Sequence, residues 1–209
     1  MIVLGLTGSI AMGKSTVAAH LRSLGIPVLD SDEVVHDLYR GVAAPLIEAA
    51  FPGTTVDGQV DRAALTRAVV SHPDQIARLE AIVHPLVRAR QWRFLLAEHD
   101  RGSDIAVLEI PLLFETAARH LFDAVIVASA PLDMQRMRLS ERPGMTSDKL
   151  NAILARQMPD AEKRAQADYV VDTGQPLDAT HAQINAVLAN AAKRPALAYH
   201  RWADLSHEV

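Results

Sequence analysis

The chain has 209 residues, 49% of them hydrophobic, with 25 acidic residues against 21 Lys and Arg and no cysteine. That length holds one α/β core plus a modest insertion rather than two independent domains, and the formal net charge of −4 argues against a general nucleic-acid binder. Lack of cysteine excludes disulfides and thiolate metal sites; no apolar run approaches a membrane span, so a soluble, cytoplasmic protein with access to ATP is expected.

The first element is a short buried strand, Ile2, Val3, Leu4 and Leu6, followed at once by Gly8-x-x-x-x-Gly13-Lys14-Ser15. Beyond it, Val17, Ala18, Leu21 and Leu24 recur at helical spacing until Gly25 ends the helix. Strand, glycine loop and helix is the arrangement of a phosphate-binding P-loop. Its glycines let successive N–H groups turn inward, and the helix N-terminus adds partial positive charge. Lys14 then reaches the β- and γ-phosphates, and the Ser15 hydroxyl is placed to ligate Mg²⁺.

Four further buried strands are predicted at 27–29, 105–110, 124–128 and 169–171, each followed by turn residues and a helical pattern. Alternation of this kind predicts an α/β fold, a five-stranded parallel sheet between helices, with the active site beyond the strands' carboxyl ends. Between the second and third strands, 53–58 reads as a turn-rich break and Asp61 as the N-cap of a helix over 62–70. His72-Pro73-Asp74 opens another helix, and His84-Pro85 a third that runs to about residue 98. Three helices without a strand exceed a simple crossover, so a helical subdomain is expected over about 53–102. A second excursion over about 133–166 is rich in Arg and Lys and broken by Pro143-Gly144. It reads as a lid on a core formed by about 1–52, 103–132 and 167–194, all within one domain. The tail after Arg194 is expected to be poorly ordered.

Several residues outside the P-loop are candidates for chemistry. Asp30-Ser31-Asp32 follows the second strand, placing two carboxylates at the sheet's carboxyl edge. Ser31 or Asp32 could simply cap the next helix. Beside a P-loop, however, phosphoryl transfer calls for one carboxylate near the accepting hydroxyl and another for Mg²⁺ waters, so at least one is expected to be catalytic. In the second excursion Arg138 and Arg142 stand four apart on one helix face. A solvated face is the plain reading; a lid closing two arginines onto a triphosphate is the favoured one. His84 is of a type more often structural than catalytic in such a setting. Glu109, inside a strand pattern, needs either a backbone N–H or a metal as partner.

Taken together, these segments resemble the dephospho-coenzyme A kinase family from residue 1 to about 174. The resemblance rests on G-L-T-G-S-I-A-M-G-K-S-T at 5–16, L-G-I-P-V-L-D-S-D at 24–32 and H-P at 84–85. I-P-L-L-F-E at 110–115, Q-x-x-R-x-x-x-R at 135–142, Q-M-P at 157–159 and A-D-Y-V-V-D at 167–172 complete it. It implies a P-loop kinase core with a helical substrate subdomain and a helical lid. The implied reaction moves the ATP γ-phosphoryl, with Mg²⁺, to the ribose 3′-hydroxyl of dephospho-coenzyme A, the last step of coenzyme A synthesis. By this resemblance Asp32 is the base that meets the substrate, and Lys14 and Arg142 complete the catalytic set. Gly8, Ser9, Ile10, Ala11, Met12, Gly13, Lys14, Ser15, Thr16 and Arg138 hold ATP, Ser15 also takes the metal, and His84 is carried as a substrate contact. The partner is then a small molecule, with no nucleic acid or membrane involved, and the chain a monomer or small homo-oligomer. Three places depart from the family pattern: Ala11-Met12, His36 where an arginine often follows D-x-D, and Asp172-Thr173-Gly174, which lacks a frequent asparagine. No adenine contact is therefore assigned to Thr173.

Two other functions compete. A nucleoside monophosphate kinase shares core and lid, but would need arginines around an acceptor phosphate rather than Asp32 facing a hydroxyl. A GTPase switch usually reads guanine through N-K-x-D, and this sequence has none.

Overall fold

The computed structural model describes residues 1–70, 72–141 and 157–206. In chain order its elements begin with β1 (Ile2–Thr7), α1 (Lys14–Ser23), β2 (Val28–Asp30), α2 (Ser31–Tyr39) and α3 (Ala44–Ala50). A small hairpin of β3 (Thr55–Val56) and β4 (Gln59–Val60) leads to α4 (Arg62–Val69) and α5 (Pro73–Asp100). Then come β5 (Ile105–Glu109), a 3₁₀ turn at Ala118–Leu121, β6 (Ala124–Ser129) and α6 (Leu132–Ser140). The chain closes with α7 (Asp160–Gln166), β7 (Tyr169–Asp172), α8 (Leu177–Ala191) and α9 (Ala198–Ser206).

The five-stranded sheet runs β2-β5-β1-β6-β7, and every pairing in it is parallel. All six residues of β1 are buried, as the central strand of a sheet covered on both faces requires. On one face Leu4, Leu6 and Ile126 pack with Val17 and Leu21 of α1 and Ile184 of α8. On the other, Val3, Leu108 and Val125 pack with Leu95 of α5, Phe122 and Trp202 of α9. A third cluster, including Val34, Leu38, Ile47, Leu65 and Val83, forms beside the sheet where α2 to α5 meet.

The structure corrects four expectations. The insertion holds two helices rather than three, because α5 runs unbroken for 28 residues with Pro85 inside it. An interior proline costs roughly 3 kcal/mol; here packing against α2, α3, α4, α9 and β5 outweighs it. The break at 53–58 contains an antiparallel hairpin whose turn, Asp57-Gly58, has both residues at positive φ, 51° and 74°, as a tight two-residue loop needs. The tail is helical and anchored: Trp202 is buried with its indole N–H on the Leu121 carbonyl (2.9 Å). The Asp123 carboxylate accepts from the Leu197 and Ala198 amides, both at 2.8 Å, at the start of α9. Finally, the cap of α2 is Asp30 rather than Ser31 or Asp32, since its Oδ1 accepts from the Asp32 amide (2.8 Å) and the Glu33 amide (3.4 Å). At Asp61 the expected N-cap is found, accepting from the Ala63 and Ala64 amides.

Candidate active site

The P-loop spans the gap between β1 and α1 at the carboxyl edge of the sheet, and two of its glycines are held there by close neighbours. A β-carbon on Gly8 would run into the Ala128 carbonyl oxygen. One on Gly13 would stand 2.5 Å from Thr173 Oγ1, and Gly13 also has φ +83°, a left-handed conformation that side chains disfavour. Ala11 is left-handed too, at φ 60°, a strain of about 1–2 kcal/mol at the tip of the loop. The first amides of α1 point out of its N-terminus and supply an anion site. Lys14 curls over the loop, its Nζ donating to the Gly8 carbonyl at 3.0 Å. Ser15 is exposed in the first turn of α1 and Thr16 half-buried behind it. Met12, assigned to ATP from the sequence, turns its side chain inward, where Sδ accepts from the Ala130 amide (3.2 Å). Only its main chain is available to a nucleotide.

Three side chains hold the loop's tip from outside. Gln135 donates to the Ile10 carbonyl (2.8 Å), and Gln157 Oε1 accepts from the Ile10 amide (3.0 Å). Arg138 donates to the Ala11 carbonyl (3.3 Å) and, with the two prongs of its guanidinium, to Thr173 Oγ1 (3.1 Å) and the Thr173 carbonyl (2.6 Å). Thr173 in turn donates to the Met12 carbonyl (2.9 Å). A lid arginine waiting in water was the expectation for Arg138; the structure places it half-buried against the P-loop backbone, where paired acceptors match its planar fork. Arg142, Arg156 and Pro143-Gly144 lie outside the described residues.

The acidic edge lies on the other side of Lys14. Parallel register sets Glu109 beside both Asp30 of β2 and Leu6 of β1. Glu109 is buried, and that desolvation pushes its carboxyl up; Asp30 and Asp32 add to the rise, while Lys14 and Arg22 oppose it. Asp32 is exposed as a residue, yet protein crowds its carboxyl enough for desolvation to be the first cause of its own upward shift, with Asp30 second. Lys14 and Arg62 pull it back. Asp30 spends one oxygen on capping α2, so its carboxylate is already partly engaged by main chain. The buried Ser31 hydroxyl accepts from Gln91 of α5 (3.0 Å) and so fixes the start of α2. His84 is exposed in mid-α5, its side chain has no hydrogen bond or ion pair among the described residues, and it stands seven residues before Gln91, which bonds Ser31.

Among the described residues no three His, Asp or Glu side chains form a metal cage. Mg²⁺ needs none, because it is commonly held by one or two carboxylates, waters and substrate phosphates. Crowded like-charged oxygens at Glu109 and Asp32 fit such a hard cation. A cavity of about 470 Å³ also flanks the loop between Ser9, Met12, Leu132 and Asp160, but neither Lys14 nor Asp32 lines it.

Sequence reasoning overlooked the supporting residues. Gln135 and Gln157 stood in recognisable motifs, yet nothing in their residue type said that they bind main chain. Lys163 is fully buried, with Nζ 2.9 Å from Glu115 Oε1 and 3.1 Å from the Pro111 carbonyl.

Comparison with known proteins agrees with this geometry. A family model for dephospho-CoA kinase matches residues 2–178. The dephospho-CoA kinase of Mesorhizobium japonicum is 58% identical over 188 residues, which is 90% of this chain and 95% of that protein. A crystal structure from Thermus thermophilus superposes with TM-score 0.79 at 39% identity, covering 90% of this chain and 97% of that one. The dephospho-CoA kinase of Campylobacter jejuni, 24% identical, shares the fold at TM-score 0.61 over 91% of this chain and 97% of its own. With a P-loop, an acidic strand edge and full-length relatives in agreement, the chain belongs to the dephospho-CoA kinase family.

Proposed function

We propose a division of labour among this chain's residues for the family's reaction, transfer of the ATP γ-phosphoryl to the 3′-hydroxyl of dephospho-CoA. The P-loop amides, the N-terminus of α1 and Lys14 hold the triphosphate, with Lys14 following the charge that builds during transfer. Asp32 orients the acceptor hydroxyl. As the new P–O bond forms and the γ-phosphorus separates from ADP, the hydroxyl proton passes to Asp32. Its raised pKa makes it a stronger base than an ordinary aspartate. Ser15 and Glu109 would hold Mg²⁺ and its waters, and the cation would supply charge neutralisation for the triphosphate. Arg138 keeps the P-loop in shape beneath the nucleotide, and Arg142 is carried from the family resemblance as a member of the catalytic set. The reaction takes place in the cytoplasm; no helix among the described residues is long and apolar enough to cross a membrane.

The observation that carries this reading is that the parallel order β2-β5-β1 sets Asp30-Ser31-Asp32 at the same carboxyl edge of the sheet as the P-loop, with Lys14 close enough for its charge to bear on the Asp32 carboxyl. Asp32→Asn tests it. With ADP release followed in the presence of dephospho-CoA, kcat should fall about a hundredfold or more while the KM for ATP moves less than about twofold. In the parent enzyme the acid limb of kcat/KM should lie above the ordinary aspartate value of 3.8. Near-normal turnover, or loss of ATP affinity with the chemical step intact, would remove Asp32 from the role of base.

A further inference from the structure

Asp32 does not stand alone on its helix face. His36 and Tyr39 follow it at i+4 and i+7 on α2, so the three side chains form one stripe. Across from this stripe, in the first turn of α4, is Arg62. Its Nη2 lies 3.1 Å from His36 Nδ1, and its guanidinium carbon sits 5.7 Å from the centre of the Tyr39 ring. A guanidinium only donates, so His36 must present an unprotonated Nδ1 to it. The arginine is thus aimed from two sides and carries less rotational freedom than an exposed arginine ordinarily has.

Its charge is also uncommitted. Among the described residues Arg62 forms no ion pair with a carboxylate. Asp61, its neighbour in sequence, uses its carboxylate to cap α4. The field of Arg62 nevertheless reaches the site, since it opposes the upward shifts that burial gives Asp32 and Tyr39. A fixed, exposed guanidinium with spare donors beside the base is the chemistry that grips a phosphate-type oxygen.

We infer that Arg62, steadied by His36 and Tyr39, is the acceptor-side anion clamp that binds the diphosphate of dephospho-CoA. The inference rests on Asp32 facing the acceptor hydroxyl. That ribose carries the diphosphate on its 5′ carbon, so an anion arrives a few bonds from the reacting 3′ oxygen. Arg62, across from the helix-face stripe that carries Asp32, receives it. His36, on the same stripe as Asp32, positions Arg62.

Steady-state kinetics of Arg62→Ala and Arg62→Lys, with each substrate varied in turn, tests the clamp. For Arg62→Ala the KM for dephospho-CoA should rise about tenfold or more, the effect of one lost charge-assisted hydrogen bond. The KM for ATP should stay within about twofold, and Arg62→Lys should recover part of the loss because it keeps charge but not the fork. Raising ionic strength should weaken dephospho-CoA binding more in the parent than in Arg62→Ala, a response that a structural role would not produce. An unchanged KM for dephospho-CoA, or equal rises for both substrates, would overturn the clamp. So would a shift in the pH profile of kcat with no change in KM, which would mean that Arg62 acts only on Asp32. A parent enzyme that converts no dephospho-CoA would instead overturn the function itself.

Discussion

Replacing Lys163 by methionine removes a charge that no solvent reaches while keeping most of the side chain's volume. The loss therefore falls on the groups it leaves behind. Pro111 loses a donor to its carbonyl, and Glu115, only 16% exposed, keeps its charge with the Met158 amide (2.7 Å) as its remaining partner among the described residues. Glu115 Oε2 already has none there. Breaking one half of a buried ion pair costs about 3–5 kcal/mol, against a total stability of about 5–15 kcal/mol for a native protein. For a chain of this size each kcal/mol lowers the melting temperature by roughly 2–4 °C, which predicts a fall of roughly 6–20 °C. The effect extends to the site, because Glu115 holds Met158 and the preceding Gln157 holds Ile10 of the P-loop. The KM for ATP should rise along with the loss of stability. Adding Glu115→Gln, which removes the stranded charge but keeps an acceptor for Met158, should restore a large part of what Lys163→Met lost. Urea and thermal denaturation of both singles and the double form the cycle. A Lys163→Met loss under about 1 kcal/mol, as for an exposed pair, or strictly additive losses, would refute the argument.

Two further changes probe the loop and the acidic edge. Gly13→Ala would combine left-handed strain of about 1–2 kcal/mol with overpacking of about 1–3 kcal/mol against a buried, hydrogen-bonded Thr173. Calorimetry should show ATP binding lost, and Thr173→Gly in the same chain should recover the steric share only; a stable, ATP-binding Gly13→Ala enzyme would refute the packing account. Glu109 has a pKa raised in the folded state, so folding holds its proton more tightly than the unfolded chain does, and its ionised form subtracts stability above that raised value. Glu109→Gln should therefore melt higher than the parent at neutral pH, with the gain vanishing as pH falls through the raised value toward the ordinary 4.5, while turnover drops through weakened metal binding. A lower melting temperature at neutral pH would show that Glu109 is stabilised there by partners beyond those described.

Local signals in the sequence were dependable where local forces decide the structure. Gly8, Gly13 and Lys14 between a buried strand and an amphipathic helix, and Asp61 before Arg62, act within a few residues of themselves. Expectation failed where distant packing decides. Pro85 ordinarily interrupts a helix, yet α5 gains enough by covering several elements to continue through it. Trp202 looked like part of a loose tail because its pocket is made by Phe122 and Leu121, some 80 residues away in the chain. Asp57-Gly58 was a legible turn signal, but strands of two residues give no periodicity to support it. Asp30 and Asp32 were both visible as acids; which of them caps α2 depends on where the helix begins, the least determined feature of any sequence reading.

The motifs that made the family recognisable divide into two physical kinds. Gln135, Arg138, Gln157, Glu115 and Lys163 lie far apart in sequence, yet the first three bond the P-loop main chain, and Lys163 and Glu115 fix Met158, the residue next to Gln157. The bonds from Gln135, Gln157 and Arg138 to the main chain of Ile10 and Ala11 are why a strained Ala11 can persist at the loop's tip. The acidic edge is the opposite case. Asp30, Asp32 and Glu109 repel one another, and two of them sit partly desolvated, an arrangement that subtracts from stability and gains its value only when cations and an acceptor hydroxyl arrive. The rigid loop support offsets the unfavourable edge. A stabilised loop with a neutralised edge should be a sturdier protein and a poorer kinase, which ties the Lys163 and Glu109 experiments into one argument about where this fold places its strain.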